Sequence, residues 1–167
     1  MNKQQQEFLD QIQTHSGIIH KVIGLYVDLP EDRKDLYQEI LLQAWKSFDR
    51  FRGASRFSTW LYRVSLNTVL TFQRKDQKKV DKHAQELPQT GVKAEVEQRE
   101  NSELLYLEIK KLNEIDRMII TLHLDGYKNG EIAEITGLKV NHINVKLHRV
   151  KQQIIEGLKK RKSYGLA

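Results

Sequence analysis

The stretch GEIAEITGLKVNHINVKLHRVKQQI, residues 130–154, has the pattern of two short helices joined by a tight turn. Ala133 is small enough for the point where two helices touch most closely, and Gly137 tolerates the positive φ that the turn requires. Apolar residues then recur at spacings of four, three and four, on one face of the second helix: Ile143, Leu147, Val150 and Ile154. This pattern predicts a helix-turn-helix.

The residues left on the outer face of the second helix have the chemistry to contact DNA. They are Asn141, His142, Asn144, Val145, Lys146, His148 and Arg149. In the major groove an asparagine can bond adenine through both ends of its amide, a lysine or arginine can bond guanine or phosphate, and Val145 can meet a thymine methyl group. The same alanine and glycine spacing occurs in ordinary helical hairpins, so this stretch alone leaves a structural role open.

The composition bounds the fold and excludes several kinds of site. The 167 residues are 39% apolar and include only two prolines and nine glycines, which indicates an all-helical protein of one compact domain or two small ones. The absence of cysteine excludes disulfides, thiolate zinc sites and cysteine nucleophiles. No apolar run approaches the roughly 18–20 residues that span a bilayer. The start lacks a signal-peptide core, so we expect a cytoplasmic protein without membrane insertion.

The positive charge is concentrated near the C-terminal end. The net charge is +6, and residues 139–162 hold eight lysines or arginines against one acidic residue, Glu156. A basic helical surface of this kind is the usual electrostatic footprint of a nucleic-acid-binding protein. A solvated surface helix with a lysine-rich tail is the alternative that charge alone leaves open.

Composition also divides the chain into three zones. Helical apolar spacing fills residues 5–75 and resumes over 101–162. Residues 76–100 contain few large apolar groups and a Pro-Gln-Thr-Gly break, which indicates a flexible linker. In the last zone, Asn113 can cap a helix that Gly126 ends.

Local signals place the helix boundaries of the first zone. The Asp-Leu-Pro sequence at 28–30 ends one or two initial helices, and the next helix is predicted to run to about Phe48. After a loop, either Ser58 or Thr59 can cap a further helix that reaches about Arg74.

Three blocks resemble a known family. DLYQEILLQAWKSFDRFRG (35–53) and STWLYRVSLNTVLTFQRK (58–75) resemble the polymerase-binding and promoter-melting helices of bacterial RNA polymerase sigma factors of the extracytoplasmic-function type. Residues 112–154 are similar to the domain that reads the upstream promoter element. The order and spacing agree over about residues 8–158. The resemblance implies an all-α fold of two small helical domains joined by a flexible linker, the C-terminal one a helix-turn-helix domain.

The resemblance assigns a role to each zone. Residues 5–75 are implied to bind core polymerase and melt the downstream (−10) element, 76–100 to form the linker, and 101–162 to read the upstream (−35) element. The implied contacts with the coiled coil of the largest polymerase subunit are Asp35, Gln38, Glu39, Leu42 and Gln43. Most of these form a polar face that can pair with a basic partner surface. Trp45 and Leu41, on the same helix, are expected in the core.

Strand opening needs aromatic faces for stacking, amides for base edges and cations for the backbone. The candidate residues for the downstream element are Arg52, Arg56, Phe57, Trp60, Tyr62, Arg63, Asn67 and Arg74. The resemblance implies that the loop of residues 51–57 and Asn67 form a pocket for a flipped base. Burial of Trp60 in the core remains the alternative for that residue.

The candidate residues for the upstream element lie in the helix-turn-helix. They are Lys128, Asn141, His142, Asn144, Val145, Lys146 and Arg149. Asn144 and Val145 stand where many family members carry a lysine or arginine followed by serine. We therefore expect these two positions to set the promoter preference of this protein.

Nothing in the sequence indicates catalysis. The six histidines show no spacing that places two on one helix face as metal ligands, and there is no glycine-rich phosphate loop. We expect no enzyme, no metal, no cofactor and no small-molecule substrate. The implied partners are core RNA polymerase, promoter DNA and an anti-sigma factor.

Two other functions compete with this interpretation. A dimeric helix-turn-helix regulator of the LuxR type would bind DNA without polymerase, and the DLYQE and TWLYR blocks count against it. A helical adaptor would bind a protein partner and never DNA, and the basic outer face counts against it.

Overall fold

The structure is a computed structural model that describes residues 2–51, 53–77 and 96–163. Within those residues the chain forms seven helices: α1 (Lys3–Tyr26), α2 (Pro30–Phe48), α3 (Phe57–Gln77), α4 (Val96–Lys110), α5 (Glu114–Leu124), α6 (Asn129–Thr136) and α7 (Val140–Ser163). The chain divides into two compact units, Met1–His83 and Ala84–Ala167. The predicted all-α fold of two helical domains is confirmed. Most of the predicted linker, residues 78–95, lies outside the described residues.

A side-chain cap and a proline set the starts of the first two helices. The Asn2 side chain accepts a hydrogen bond from the Gln5 backbone N–H, and the Gln5 side chain accepts one from the Asn2 N–H, both at 2.8 Å. This reciprocal cap starts α1, which is one continuous helix. Pro30 then begins α2, because proline suits the first turn of a helix. Arg33 ties the two helices together by donating to the Val27 carbonyl oxygen at 2.7 Å.

All three helices of the first unit contribute to one apolar core. The largest apolar side chains that are at most 1% exposed are Ile19, Val22, Leu36, Ile40, Leu61 and Val69. Burying a side chain of this size contributes about 1.5–3 kcal/mol. This core fixes α2 and α3 side by side, which positions the polar faces that they turn to solvent.

The expected burial of Trp45 is wrong, and Leu41 is only half-buried. The Trp45 side chain is 37% exposed. The core face of α2 is carried by Ile40 and Ala44, both fully buried, and Trp45 lies one residue further on, about 100° around the helix. Its ring still contacts the edge of Phe8 on α1, with centroids 5.1 Å apart.

The third helix begins earlier than Ser58 or Thr59, the two predicted caps. The Trp60 N–H donates to the Arg56 carbonyl oxygen at 3.1 Å, so Arg56 is the residue that precedes the helix. Thr59 is buried in the first turn, at 3% exposure. The ring of Phe57 packs against Trp60 with centroids 5.2 Å apart, and this contact favours the earlier start.

The predicted helix-turn-helix is confirmed in the second unit. Asn113 caps α5 by accepting a hydrogen bond from the Asp116 N–H at 2.9 Å, and Gly126 follows the helix at φ 87°. Gly137 has φ 74° and donates its N–H to the Ala133 carbonyl oxygen at 2.9 Å, which ends α6. The predicted stripe on α7 is buried throughout: Ile143, Leu147, Val150 and Ile154.

A charged cluster joins α4 to α7. The Glu108 carboxylate is only 6% exposed and accepts hydrogen bonds from Lys111 and Arg161, each at 2.6 Å. Burial alone raises the pKa of the Glu108 carboxyl, but the hydrogen bonds and charges of Lys111 and Arg161 outweigh it and hold the pKa below its ordinary value. Gly157 lies directly against this carboxylate. A Cβ added at position 157 would come within 2.7 Å of the carboxyl carbon of Glu108.

Candidate functional surfaces

The exposed side of α2 carries the predicted polymerase-binding residues. Asp35, Gln38 and Glu39 are exposed, and the Glu39 carboxylate accepts a hydrogen bond from the half-buried Gln43 at 2.7 Å. Leu42 is 44% exposed on the same side of the helix. The five predicted residues therefore form one continuous surface, which we call the α2 surface.

Trp45 extends the α2 surface, although the sequence pattern placed it in the core. It follows Leu42 by three residues, so the two side chains are neighbours on the helix. Both are exposed large apolar groups. Exposed apolar and aromatic side chains surrounded by polar ones are typical of a protein-binding surface.

A groove of about 830 Å³ lies between α2 and α3. Its polar lining includes Asp35, Glu39 and Gln43 from α2 and Asn67, Thr71 and Lys75 from α3. The structure thus brings Asn67, predicted to contact DNA, together with residues predicted to contact the polymerase. None of residues 51 and 53–57 lines this groove. A pocket formed by that loop and Asn67 stays a prediction.

The aromatic residues around the loop pack on one another. The Phe51 and Trp60 rings lie 5.1 Å apart, and Phe51 and Phe57 lie 5.7 Å apart. Trp60 is half-buried, so part of its ring remains accessible, whereas Phe57 is 8% exposed. Of these residues, Trp60 and Phe51 retain a surface on which a base could stack.

Tyr62 is 2% exposed, so its ring offers no face to a DNA strand in this conformation. It lies two residues after Trp60, about 200° around α3, on the side that faces the core. Arg56, Arg63, Asn67 and Arg74 are exposed, and Arg52 lies outside the described residues. Burial therefore separates Tyr62 from the polar residues predicted with it.

The outer face of α7 carries the predicted upstream contacts. The exposed members are Asn141, His142, Asn144, Val145 and Arg149, and Lys128 is exposed at the start of α6. Val145 is 58% exposed, which suits contact with a thymine methyl group. This exposed face carries residue types that contact base edges and phosphates in the major groove, and their contact with DNA stays a prediction.

Two polar contacts on this face were not predicted. The Lys146 ammonium lies 2.8 Å from the Asp116 carboxylate on α5, and the Lys146 side chain is 35% exposed. Asn129, the first residue of α6, donates its side-chain amide to the Asn144 side-chain oxygen at 2.6 Å. These partners are 30 and 15 residues apart, so no local spacing in the sequence reveals them.

The described residues contain no group of three or more histidine, aspartate or glutamate side chains placed to hold a metal ion. Over the same part of the chain, no helix combines the length and apolar character needed to cross a membrane.

Comparison with known proteins decides the family. Sigma-70 region 2 matches residues 11–79, and Sigma-70 region 4 matches residues 102–154. The ECF RNA polymerase sigma-E factor of Escherichia coli K12 is 33% identical over 152 residues, which cover 81% of this chain and 79% of that protein. The chain belongs to the ECF sigma-factor family. The ECF RNA polymerase sigma-E factor of Haemophilus influenzae is also similar. It is 30% identical, and the match covers 81% of this chain and 80% of that protein.

Two solved structures share the fold. The sigma factor RpoE from Bartonella quintana, in complex with the anti-sigma factor NepR, superposes with a TM-score of 0.71 at 19% identity, over 92% of this chain and 97% of its own. The structure of CnrH in complex with the cytosolic domain of CnrY superposes with a TM-score of 0.67 at 19% sequence identity. The match covers 93% of this chain and 90% of that chain. The predicted family and fold are confirmed. This ECF protein is a sigma factor that directs transcription initiation, and a polymerase-independent regulator is not favoured.

Proposed function

We propose that this sigma factor binds core RNA polymerase through the α2 surface and reads its promoter with two separate units. The observation that carries the proposal is the presence of Sigma-70 regions 2 and 4 in one chain, each with an exposed polar face over a buried core. Region 2 supplies polymerase binding and capture of the melted −10 element, and region 4 supplies recognition of the −35 duplex.

The α2 surface suits a basic coiled coil of the largest polymerase subunit. Asp35 and Glu39 supply negative charge, and the amides of Gln38 and Gln43 add hydrogen-bonding capacity. Leu42 and Trp45 supply the apolar contact area beside them. Exposed charges at such an interface mainly steer association, whereas the apolar anchors limit dissociation.

The −10 strand is proposed to follow the exposed side of α3. Arg56, Arg63 and Arg74 contact its phosphates, Asn67 contacts a base edge, and Trp60 offers a stacking face. Phe57 and Tyr62 are buried and support this surface from the core. Arg52, outside the described residues, is kept as a further phosphate contact on the evidence of sequence alone.

The −35 duplex is proposed to receive α7 in its major groove. Asn141, His142, Asn144 and Val145 face the bases, and Arg149 contacts guanine or phosphate. Lys128 contacts a phosphate from the start of α6. Lys146 is paired with Asp116, so we place it beside the contact surface rather than at a base.

Binding to one polymerase joins these weak contacts. Once region 2 is held, the effective concentration of region 4 at its own DNA site rises, so neither contact needs to be strong alone. Counterion release makes the DNA affinity fall steeply with salt. We propose a cytoplasmic, non-catalytic protein, and one regulated by an anti-sigma factor, as the fold shared with RpoE bound to NepR supports.

Two pairs of variants test the division of labour. Glu39→Ala should weaken core polymerase binding at least about fivefold, as expected for a charge within a complementary interface. Glu7→Ala removes an exposed carboxylate from α1 and serves as its control. Arg149→Ala should weaken binding of the −35 duplex by about 1–3 kcal/mol in the polymerase complex. Lys160→Ala, an exposed cation near the end of the same helix, is its control.

Core binding is measured by fluorescence anisotropy, and promoter binding by footprinting of the complex. The proposal requires Glu39→Ala to impair core binding while Arg149→Ala impairs only protection of the −35 element. Equal effects of each variant and its control on both assays would contradict the proposed surfaces.

A further inference from the structure

Asn144 on α7 is held by a partner from the preceding helix. Its side-chain oxygen, Oδ1, accepts a hydrogen bond at 2.6 Å from Nδ2 of Asn129, the first residue of α6. Asn144 is exposed and Asn129 is half-buried. The bond joins the two helices, so it depends on their packing and fixes the orientation of the Asn144 amide.

The two ends of an asparagine amide recognise different base edges. The NH₂ group donates to acceptors, of which guanine presents two side by side, N7 and O6, whereas adenine presents N7 beside a donor. The oxygen accepts from the exocyclic amines of adenine and cytosine. The bidentate contact with adenine uses both ends at once. The hydrogen bond turns Oδ1 of Asn144 towards Asn129, so the NH₂ group at the other end of the amide is the end left to face a base.

An ion pair keeps Lys146 from taking over this donor role. Lys146, two residues further along α7, is bound to the Asp116 carboxylate at 2.8 Å. Asn144 can therefore act as a hydrogen-bond donor at its own position on the outer face without competition from Lys146. Docking against DNA removes water from the exposed Asn129–Asn144 bond, and a bond with less water around it is harder to exchange for another.

We propose that Asn129 is a positioning residue that makes Asn144 a hydrogen-bond donor, and so gives guanine preference over adenine at one base pair of the upstream element. The proposal rests on the proposed entry of α7 into that duplex. It changes the expectation for Asn144 from a bidentate adenine contact to a donor contact with guanine.

The test is selection of promoter fragments with a randomised upstream element by core polymerase carrying the full-length sigma factor. Bound fragments are sequenced for the wild type and for Asn144→Ala, which should lose its preference at a single base pair. At that pair the wild type should select guanine. Asn129→Ala frees Oδ1, so the guanine-to-adenine ratio there should fall at least about fivefold, the lower limit for one bidentate contact.

Asn129→Asp provides a nearly isosteric reversal. A carboxylate only accepts hydrogen bonds, so the Asn144 NH₂ group turns towards residue 129 and Oδ1 faces the base. Selection at the same pair should then move to adenine or cytosine. Acidic residues are favourable in the first turn of a helix, so this variant should keep α6 intact.

Asn141→Ala, an exposed residue in the first turn of α7, is the matched control and should change selection at a different base pair. General unfolding lowers recovery of all fragments equally and leaves base ratios unchanged. If the wild type selects no upstream sequence, the proposed function itself fails. If the wild type does select an upstream sequence, two results would overturn this inference and leave the proposed function standing. One is that both Asn129 variants keep the wild-type ratio at the position that Asn144 reads. The other is that Asn144→Ala alters selection at no position.

Discussion

Replacing Gly157 with alanine should destabilise the C-terminal unit, although the same change in an exposed helix is stabilising. Gly157 lies within α7, where alanine would normally gain about 1 kcal/mol. The new Cβ would instead lie within 2.7 Å of the carboxyl carbon of Glu108. The carboxylate must move, and we expect the movement to weaken its hydrogen bonds to Lys111 and Arg161.

The magnitude follows from the burial of that cluster. The Glu108 side chain is 6% exposed and the Arg161 side chain is 27% exposed, so the energy of this ion pair should lie between that of an exposed pair and that of a fully buried one. Exposed ion pairs contribute at most about 1 kcal/mol, and breaking a buried pair costs about 3–5 kcal/mol. A loss of about 2 kcal/mol, less the helix gain of about 1, gives a net destabilisation of about 1 kcal/mol for Gly157→Ala.

Native-state hydrogen exchange of amides in α4 and α7 measures this locally in the intact chain. The decisive control is the same substitution in a Glu108→Ala background. There the carboxylate is absent, so Gly157→Ala should stabilise the unit by about 1 kcal/mol. The two effects differ by about 2 kcal/mol, the coupling between the positions. Equal stabilisation by alanine in both backgrounds would refute the reasoning.

Three further predictions concern the same unit. Asp116→Asn removes the negative charge beside Lys146 and frees the Lys146 ammonium to contact a phosphate. Upstream DNA binding should therefore tighten, and the slope of log K against log salt concentration should steepen by about 0.9. Binding titrations at several salt concentrations measure both. Ile143→Ala, at a fully buried position of α7, should destabilise the C-terminal unit by about 2–5 kcal/mol in the hydrogen-exchange assay. The folded-state pKa of Glu108 lies below its ordinary value, so the stability that this carboxylate contributes is present above about pH 4.5 and is lost as the pH falls through the folded pKa. A Glu108→Gln variant should therefore lose less stability on acidification, as acid unfolding would show.

The helix-turn-helix was predictable because its determinants are local. The Asn113 cap acts over three residues, and Gly137 needs only its own positive φ. The buried stripe on α7 follows from helical periodicity, which the sequence displays directly. Helical periodicity also indicated the burial of Tyr62 on α3, because Tyr62 lies four residues before the buried Leu66 on the core face of that helix. Its aromatic chemistry favoured the DNA-contact interpretation instead.

Features that depend on tertiary packing were not predictable from residue patterns. Trp45 is an aromatic residue on an amphipathic helix, yet the smaller Ala44 occupies the core position and leaves Trp45 beside Leu42 on the α2 surface. The Asn129–Asn144 contact joins residues 15 apart across a turn. Such contacts change what a surface residue can do. An asparagine whose amide is oriented by a neighbour presents a different group to a ligand than one that rotates freely.

The central claim is that this chain confers promoter specificity on core RNA polymerase. Run-off transcription with sigma-free core polymerase and genomic promoter fragments tests it most directly. Adding the chain should produce transcripts from defined start sites, with DNA protection at two elements upstream of each. Start sites unchanged from those of core polymerase alone, together with binding of the free chain to duplex DNA as a dimer, would contradict the account.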